Sequence, residues 1–156
     1  MENNVIKNVL SVAILAFVLG GCASVPMEST KVSNEAKQFS EPPAGKAGLY
    51  IYRDSFVGKA LKKDVWLDGE CVGETAPDTF FYKIVDGNTT HTVSTESEFS
   101  PNDVSLKTDT GKNYFIRQYI KLGLFVGGAG VEVIDEDKGK EAVSKLGLAK
   151  SGKCSN

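Results

Sequence analysis

Three short turns in the middle of the chain constrain its fold more than any other feature. Asp68-Gly69, Asp86-Gly87-Asn88 and Asp109-Thr110-Gly111 each separate two runs rich in β-branched and aromatic residues. Asp and Gly tolerate the positive φ angles of tight hairpin turns, so each turn is typical of a β-hairpin. Three successive hairpins predict a mainly β domain, a small antiparallel β-sandwich.

The first predicted strand, Ala47 to Arg53, alternates two kinds of apolar side chain. Leu49 and Ile51 fall on one face, and Tyr50 and Tyr52 fall on the other. Successive side chains of a strand point to opposite faces, so this segment should have an aliphatic face and an aromatic face.

One short helix is predicted after the strands. Val143 and Leu146 have helical spacing within the run from Glu136 to Leu146, and Gly147 is a typical C-terminal stop. The acidic run Asp135-Glu136-Asp137 at its start is favoured by the helix dipole, which is a commoner reason for such a run than calcium binding.

The N-terminus has the pattern of a bacterial lipoprotein signal. Leu19-Gly20-Gly21-Cys22 closes an apolar run that begins at Val9 and follows Lys7. This run is about half the roughly 20 residues that span a bilayer, which fits the apolar part of a signal peptide. We expect residues 1–21 to be removed and Cys22 to be lipidated; an ordinary secretory signal or an uncleaved anchor are the alternatives.

Composition changes mark the other boundaries. Residues 22–44 are mostly polar with Pro and show no sustained period, so they are predicted to form a flexible tether. The β-sandwich domain should cover residues 45–148, followed by a tail at 149–156. A chain of this length and composition fits one domain.

Two cysteines remain if Cys22 carries lipid. Cys71 and Cys154 are then an even pair in a compartment where disulfides persist. A disulfide between them is one expectation, and two free thiols are the other.

Neither charge nor motifs favour a nucleic-acid, metal or cofactor site. The net charge is −2 with the two signs interspersed, so no basic stripe favours nucleic acid. His91, the single histidine, lies in an alternating run and is predicted to be a solvated strand residue. We therefore expect no metal, no cofactor and no catalytic residues.

The apolar segment Leu122 to Val131 contains four glycines. Its simpler interpretation is a flexible hairpin or bulge region in which glycine allows close approach of the backbone, with the large apolar side chains in the core. The functional interpretation is an exposed segment, made by Leu124, Phe125 and Val126, that contacts a partner or the membrane surface.

Short motifs in a fixed order give the chain a family resemblance. They are Leu49-Tyr50-Ile51-Tyr52-Arg53, Val65-Trp66-Leu67-Asp68-Gly69, Val72-Gly73-Glu74, Phe80-Phe81-Tyr82, the turn from Asp86 to His91, and Gly111 to Gln118. With these motifs the chain resembles bacterial lipoproteins of domain-of-unknown-function family 2846. The resemblance implies a small β-sandwich similar to transthyretin-like or PEGA-like modules and carries over no catalytic residues.

The sequence therefore favours a non-enzymatic, lipid-anchored protein of the cell envelope. Ala23, where an Asp would favour inner-membrane retention, suggests the outer membrane facing the periplasm. Its partners would be the membrane, through the lipid, and an envelope protein or cell-wall component. The alternative is an envelope hydrolase that uses carboxylates gathered by the fold.

Overall fold

The computed structural model describes residues 21–96, 102–121 and 127–155. Within them the strands are β1 Lys46–Arg53, β2 Lys63–Leu67, β3 Glu70–Thr75, β4 Thr79–Asp86, β5 Thr90–Thr95, β6 Asn102–Lys107, β7 Asn113–Lys121, β8 Gly128–Ile134 and β9 Gly147–Leu148. Helix α1 covers Thr30–Ala36 and helix α2 covers Glu136–Ser144. The prediction of a mainly β domain with a short C-terminal helix is confirmed.

The strands form two sheets that face each other as a small β-sandwich. The five-stranded sheet has the order β8-β7-β1-β4-β9, and the four-stranded sheet has the order β3-β2-β5-β6. Most neighbouring strands are antiparallel, as predicted, whereas β1 pairs in parallel with β7 and β4 pairs in parallel with β9.

Only one of the three predicted hairpins is correct. Asp68 and Gly69 have φ angles of 52° and 83° and join the paired strands β2 and β3. The turns at Asp86-Gly87-Asn88 and at Asp109-Thr110-Gly111 carry the chain from one sheet to the other, so the strands that flank them do not pair. A turn signal fixes where the chain reverses, but the pairing of the strands depends on contacts distant in sequence.

Strand β1 has the predicted aliphatic and aromatic faces, and the structure shows that both are buried. Leu49 and Ile51 lie in the core between the two sheets. Tyr50 and Tyr52 lie in a second apolar cluster on the outer face of the five-stranded sheet, with Val143 of α2.

The prediction of a flexible tether over residues 22–44 is corrected by the structure. The segment 23–44, here called the N-terminal strap, lies along the domain. The side chain of Ser29 caps α1, Met27 forms a β-bridge with Ala149, and the ring of Phe39 packs edge-on against Tyr50. These contacts join residues far apart in sequence, which explains why a polar stretch without a local period is nevertheless ordered.

The C-terminal segment also differs from expectation. Helix α2 ends at Ser144, and Gly147 begins β9 instead of acting only as a stop. Beyond β9 the backbone N–H of Ala149 donates to the carbonyl of Phe80, and the backbone N–H of Gly152 donates to the carbonyl of Val72. Phe80 belongs to the five-stranded sheet and Val72 to the four-stranded sheet, so the tail crosses between the sheets at their edges.

Candidate functional site

Cys22 is a free, exposed cysteine at the point where the strap meets the domain. The backbone N–H of the next residue, Ala23, donates to the carbonyl of Lys59 at 2.8 Å. Lys59 lies in the loop between β1 and β2, residues 54–62, which we call the β1–β2 loop. The predicted attachment residue is therefore held directly against one end of the sandwich.

Arg53, at the end of β1, holds the β1–β2 loop by hydrogen bonds from the interior of the domain. Its side chain is fully buried. The guanidinium donates to the carbonyls of Leu61 and Gly58 at 2.7 Å each, and to that of Val57 at 3.4 Å. Burial lowers the pKa of Arg53, partly offset by the charge of Asp78. The Nη1 and Nη2 groups of this buried cation bind loop carbonyls and so fix the conformation of that loop, whereas the buried Nε has no hydrogen-bond partner.

The β1–β2 loop exposes three apolar side chains next to Cys22. Phe56 is 73% exposed, Val57 is 52% exposed and Leu61 is 37% exposed. We call these three residues the anchor-side patch. The Nζ atom of Lys59 lies 5.0 Å above the centre of the Phe56 ring, so a cation borders the patch.

Cys71 and Cys154 form a disulfide that fixes the C-terminal tail to β3, with Cα atoms 5.9 Å apart. Beyond it, the backbone N–H and the hydroxyl of Ser155 both donate to one carboxylate oxygen of buried Asp64, at 2.9 and 2.6 Å. The tail is thus held to the four-stranded sheet by one disulfide and by two hydrogen bonds from Ser155 to Asp64.

A cleft of about 520 Å³ lies between α2 and the five-stranded sheet, and Asp54 at the start of the β1–β2 loop contributes to its lining. Its lining includes Tyr52, Asp54 and Arg117 from the sheet side and Lys138, Glu141 and Lys145 from the helix. The volume is in the range of small-molecule sites. Burial, with the nearby charge of Asp54, raises the pKa of the Tyr52 hydroxyl to about 12, so this group stays protonated at neutral pH.

Five of the six charged residues that line the cleft take part in ion pairs, and Asp78 is the exception among the described residues. Arg117 binds the carboxylate of Asp54 through Nε at 2.8 Å and that of Glu132 through Nη1 at 3.4 Å. Lys145 pairs with Glu141 on the same helix at 2.8 Å. A general acid or base needs a carboxyl group available to the substrate. Of the three carboxylates that line the cleft, Asp54 is bound to Arg117 and Glu141 to Lys145, whereas Asp78 forms no ion pair with the described residues.

The prediction that His91 is solvated is wrong, because its side chain shares the inward face of β5 with Val93 and is buried. Its Nδ1 lies 2.6 Å from a carboxylate oxygen of Asp68, and its Nε2 lies 2.9 Å from the carbonyl of Asp86. Burial lowers the pKa of His91, but these hydrogen bonds outweigh burial and raise it overall. His91 thus joins the β2–β3 turn to the connection between the sheets.

Other expected features lie outside these sites or outside the described residues. Leu124, Phe125 and Val126, the predicted contact segment, lie outside the described residues. Within residues 21–96, 102–121 and 127–155, no group of three or more His, Cys, Asp or Glu side chains is arranged to hold a metal ion. In the same ranges, neither helix has the length and apolar character needed to cross a bilayer.

The acidic run at the start of α2 has the predicted position. Asp135 is the N-cap residue, and Glu136 and Asp137 lie in the first turn. Their negative charge complements the positive end of the helix dipole.

The fold and these features define a two-sheet β domain. Its N-terminal strap is bound to the domain by hydrogen bonds, and its C-terminal tail by hydrogen bonds and a disulfide. A family model described as "Protein of unknown function (DUF2846)" matches residues 43–129, more than half of the chain. The chain belongs to this family. It is also 57% identical over 141 residues to a Haemophilus influenzae protein described as "Uncharacterized protein", covering 90% of this chain and 83% of that protein. No solved structure matches the chain.

Sequence reasoning missed the anchor-side patch and the role of Arg53. A signal was present: Phe56 and Val57 are two large apolar residues in a short stretch that is flanked by Asp54 and Gly58 and has no alternating pattern. Apolar residues in a turn cannot all be buried by their own loop, which favours exposure. The hydrogen bonds of Arg53 had no comparable local signal.

Proposed function

We propose that this chain is a non-enzymatic lipoprotein of the bacterial cell envelope, anchored through Cys22 on the outer membrane and facing the periplasm. The observation that carries the proposal is that Cys22 ends a lipoprotein signal motif and is also exposed at the start of the ordered strap. An acyl-modified residue must be accessible to the bilayer, and this position is.

The strap supports the proposal from a second direction. The hydrogen bond from Ala23 to Lys59 leaves a single residue, Cys22, between the domain and the proposed lipid. Two or more acyl chains give stable attachment at about 0.8 kcal/mol per buried methylene. The domain would therefore be held at the membrane surface without a linker.

Envelope placement also fits the cysteine chemistry. The disulfide between Cys71 and Cys154 would persist in the oxidising compartment beyond the inner membrane. We propose that the β domain there binds an envelope protein or a cell-wall component, or supports an envelope assembly. The ion pairs of Arg117 give no particular support to the alternative of a hydrolase that uses the cleft carboxylates.

Mass spectrometry of the mature N-terminal peptide tests the anchor. We expect a peptide that begins at Cys22 and carries acyl groups, and incorporation of a labelled fatty acid that is lost in Cys22→Ser. An unmodified Cys22, or a mature chain that begins at another residue, would refute lipidation. Recovery of the lipidated protein in inner-membrane fractions would refute the outer-membrane assignment.

Crosslinking in intact cells tests the binding role. We expect the native domain to be recovered with a defined envelope protein or cell-wall fragment, and Cys22→Ser to lose that product by losing its location. Hydrolysis of a cell-wall substrate by the purified native chain, abolished by Asp54→Asn or Glu132→Gln, would instead support the hydrolase alternative.

A further inference from the structure

We propose that the anchor-side patch is a membrane-docking surface, with Phe56 and Val57 seated in the interfacial layer of the lipid bilayer that holds Cys22. This inference rests on the proposed lipid anchorage and deepens it, because it names the surface and the orientation in which the domain meets the membrane. Its occupant is a phospholipid bilayer.

The first argument is distance. The Ala23 nitrogen lies 2.8 Å from the Lys59 carbonyl oxygen, and two covalent bonds separate that nitrogen from the Cα atom of Cys22. The Cys22 Cα therefore lies within about 6 Å of the β1–β2 loop backbone, since backbone bonds are about 1.3–1.5 Å long. Acyl chains that start at Cys22 enter the bilayer beside Phe56 and Val57, which brings the lipid surface to the patch.

The second argument is that the β1–β2 loop is held in a conformation that exposes Phe56 and Val57. Arg53 binds the carbonyls of Val57, Gly58 and Leu61 from inside the domain. The Leu61 N–H also donates to the Gly58 carbonyl at 2.8 Å. These hydrogen bonds fix the loop backbone that directly follows Phe56, in the conformation in which the Phe56 ring is 73% exposed. A preorganised apolar side chain loses little conformational entropy on binding.

The third argument is the chemistry of the loop. An aromatic ring with an adjacent ammonium group suits the bilayer interface, where the ring contacts acyl chains and lysine extends its charge to lipid phosphates. Lys59 lies over the Phe56 ring, and Lys62 is a second exposed cation, paired with Glu74 at 3.3 Å. The β1–β2 loop therefore places cations beside the apolar patch, a combination that suits a phospholipid surface.

A bilayer is favoured over a soluble protein partner because attachment makes contact with it intramolecular. A surface tethered at zero linker length meets the lipid at a high effective concentration, so a small patch is sufficient. A separate protein would need a larger buried area than three side chains provide.

Fluorescence on vesicles tests the proposal without depending on lipidation in cells. The chain from Cys22 to Asn156, with its disulfide intact, is coupled through the free Cys22 thiol to maleimide-lipid in phosphatidylcholine and phosphatidylglycerol vesicles. Trp66, the single tryptophan, is replaced by Phe, and a reporter is introduced as Phe56→Trp. Brominated lipids then quench any indole that reaches the acyl region.

Ile84→Trp provides the matched control. Ile84 is 51% exposed and lies opposite Gly48, at the end of β1 remote from Arg53. Gly48 and Arg53 are five positions apart along β1, a distance of about 17 Å at the rise of a β-strand. The control indole is thus an exposed apolar probe on the same coupled domain, away from the proposed contact.

We expect the Phe56→Trp indole to shift its emission to the blue and to lose intensity with brominated lipids, and the Ile84→Trp indole to do neither. Equal, unquenched emission from both variants would overturn the docking proposal. A blue shift without bromine quenching that grows with protein density would show a second copy covering the patch, and would also overturn it. Absence of acyl groups on Cys22 in cells refutes the proposed anchor alone, because the coupled vesicles supply that attachment independently.

Discussion

Removal of the disulfide should destabilise the domain strongly, because it releases a long loop. Cys71 and Cys154 are 83 residues apart in sequence. In the chain-entropy treatment, a loop of this size restricts the unfolded chain by an amount equivalent to about 4.5 kcal/mol at 25 °C. At about 3 °C per kcal/mol for a chain of this size, the melting temperature should fall by about 10–15 °C.

The variant is Cys71→Ser with Cys154→Ser, measured by urea denaturation with the fluorescence of Trp66 as the signal. The control is Cys22→Ser, which removes the free thiol and leaves the disulfide intact. Reduction of the native chain should produce the same loss as the double variant, since both remove the same constraint. The control should unfold like the native chain.

Release of the tail should also affect its hydrogen bonds. The bonds from Ser155 to Asp64 lie beyond the disulfide, so they should weaken when the tail is released and add to the loss. A loss below about 1 kcal/mol in both the double variant and the reduced chain would refute the reasoning, because it would mean that the disulfide restricts the unfolded chain far less than its sequence separation predicts.

Three further substitutions test local features. Gly139→Ala should destabilise by about 1–3 kcal/mol, because a Cβ atom at this position would overlap the ring of Phe115; calorimetry that shows the usual stabilisation of Gly→Ala in a helix would contradict this packing. Gly69→Val should cost about 1 kcal/mol or more through its φ of 83° alone, since a Cβ atom meets nothing within 4 Å; an unchanged urea midpoint would contradict the strain. His91 has a folded-state pKa above its ordinary value of 6.5, so its contribution is complete below that pH and is lost as the pH rises through the raised value. His91→Gln should remove this decline from denaturation curves measured across neutral pH, and a decline that persists in the variant would exclude His91 as its source.

Asp68 is the partner of His91 in this ion pair, and its contribution to stability has the opposite dependence on pH. Burial alone raises the pKa of Asp68, but the hydrogen bonds from His91 and the Thr92 backbone lower it below its ordinary value of 3.8. The contribution of Asp68 is therefore complete above that pH and is lost as the pH falls through the lowered value. The pair stabilises the domain most between the two titrations.

The parts of the fold that local pattern predicted are those determined by neighbouring residues. The Asp68-Gly69 hairpin, the two faces of β1 and the acidic start of α2 each follow from residues a few positions apart. The alternation of β5 also contained the information that His91 and Val93 share one face. Burial of His91 was missed because Asp68 and the Asp86 carbonyl, which satisfy its nitrogens, come from other elements.

The remaining features depend on contacts that no local pattern contains. The parallel pairing of β1 with β7 joins Gly48 to Asn113, and the strap depends on the bridge between Met27 and Ala149. The same holds for the candidate site. The pattern that predicts lipidation of Cys22 is local in sequence, whereas the contact of Ala23 with Lys59 requires the folded chain.

The bridge between Met27 and Ala149 makes the behaviour of one chain end depend on the integrity of the other. A protease that cuts after β9 would leave the residues beyond the cut covalently attached only through the disulfide between Cys71 and Cys154. The Lys150 N–H, which donates to the carbonyl of Pro26 at 2.9 Å next to that bridge, would then no longer be positioned by β9. If the other contacts of the strap also opened, its residues would form a flexible chain with an r.m.s. span of about 25 Å. A cut near the C-terminus followed by reduction of the disulfide would therefore favour a larger radius of motion of the domain around the proposed attachment point at Cys22.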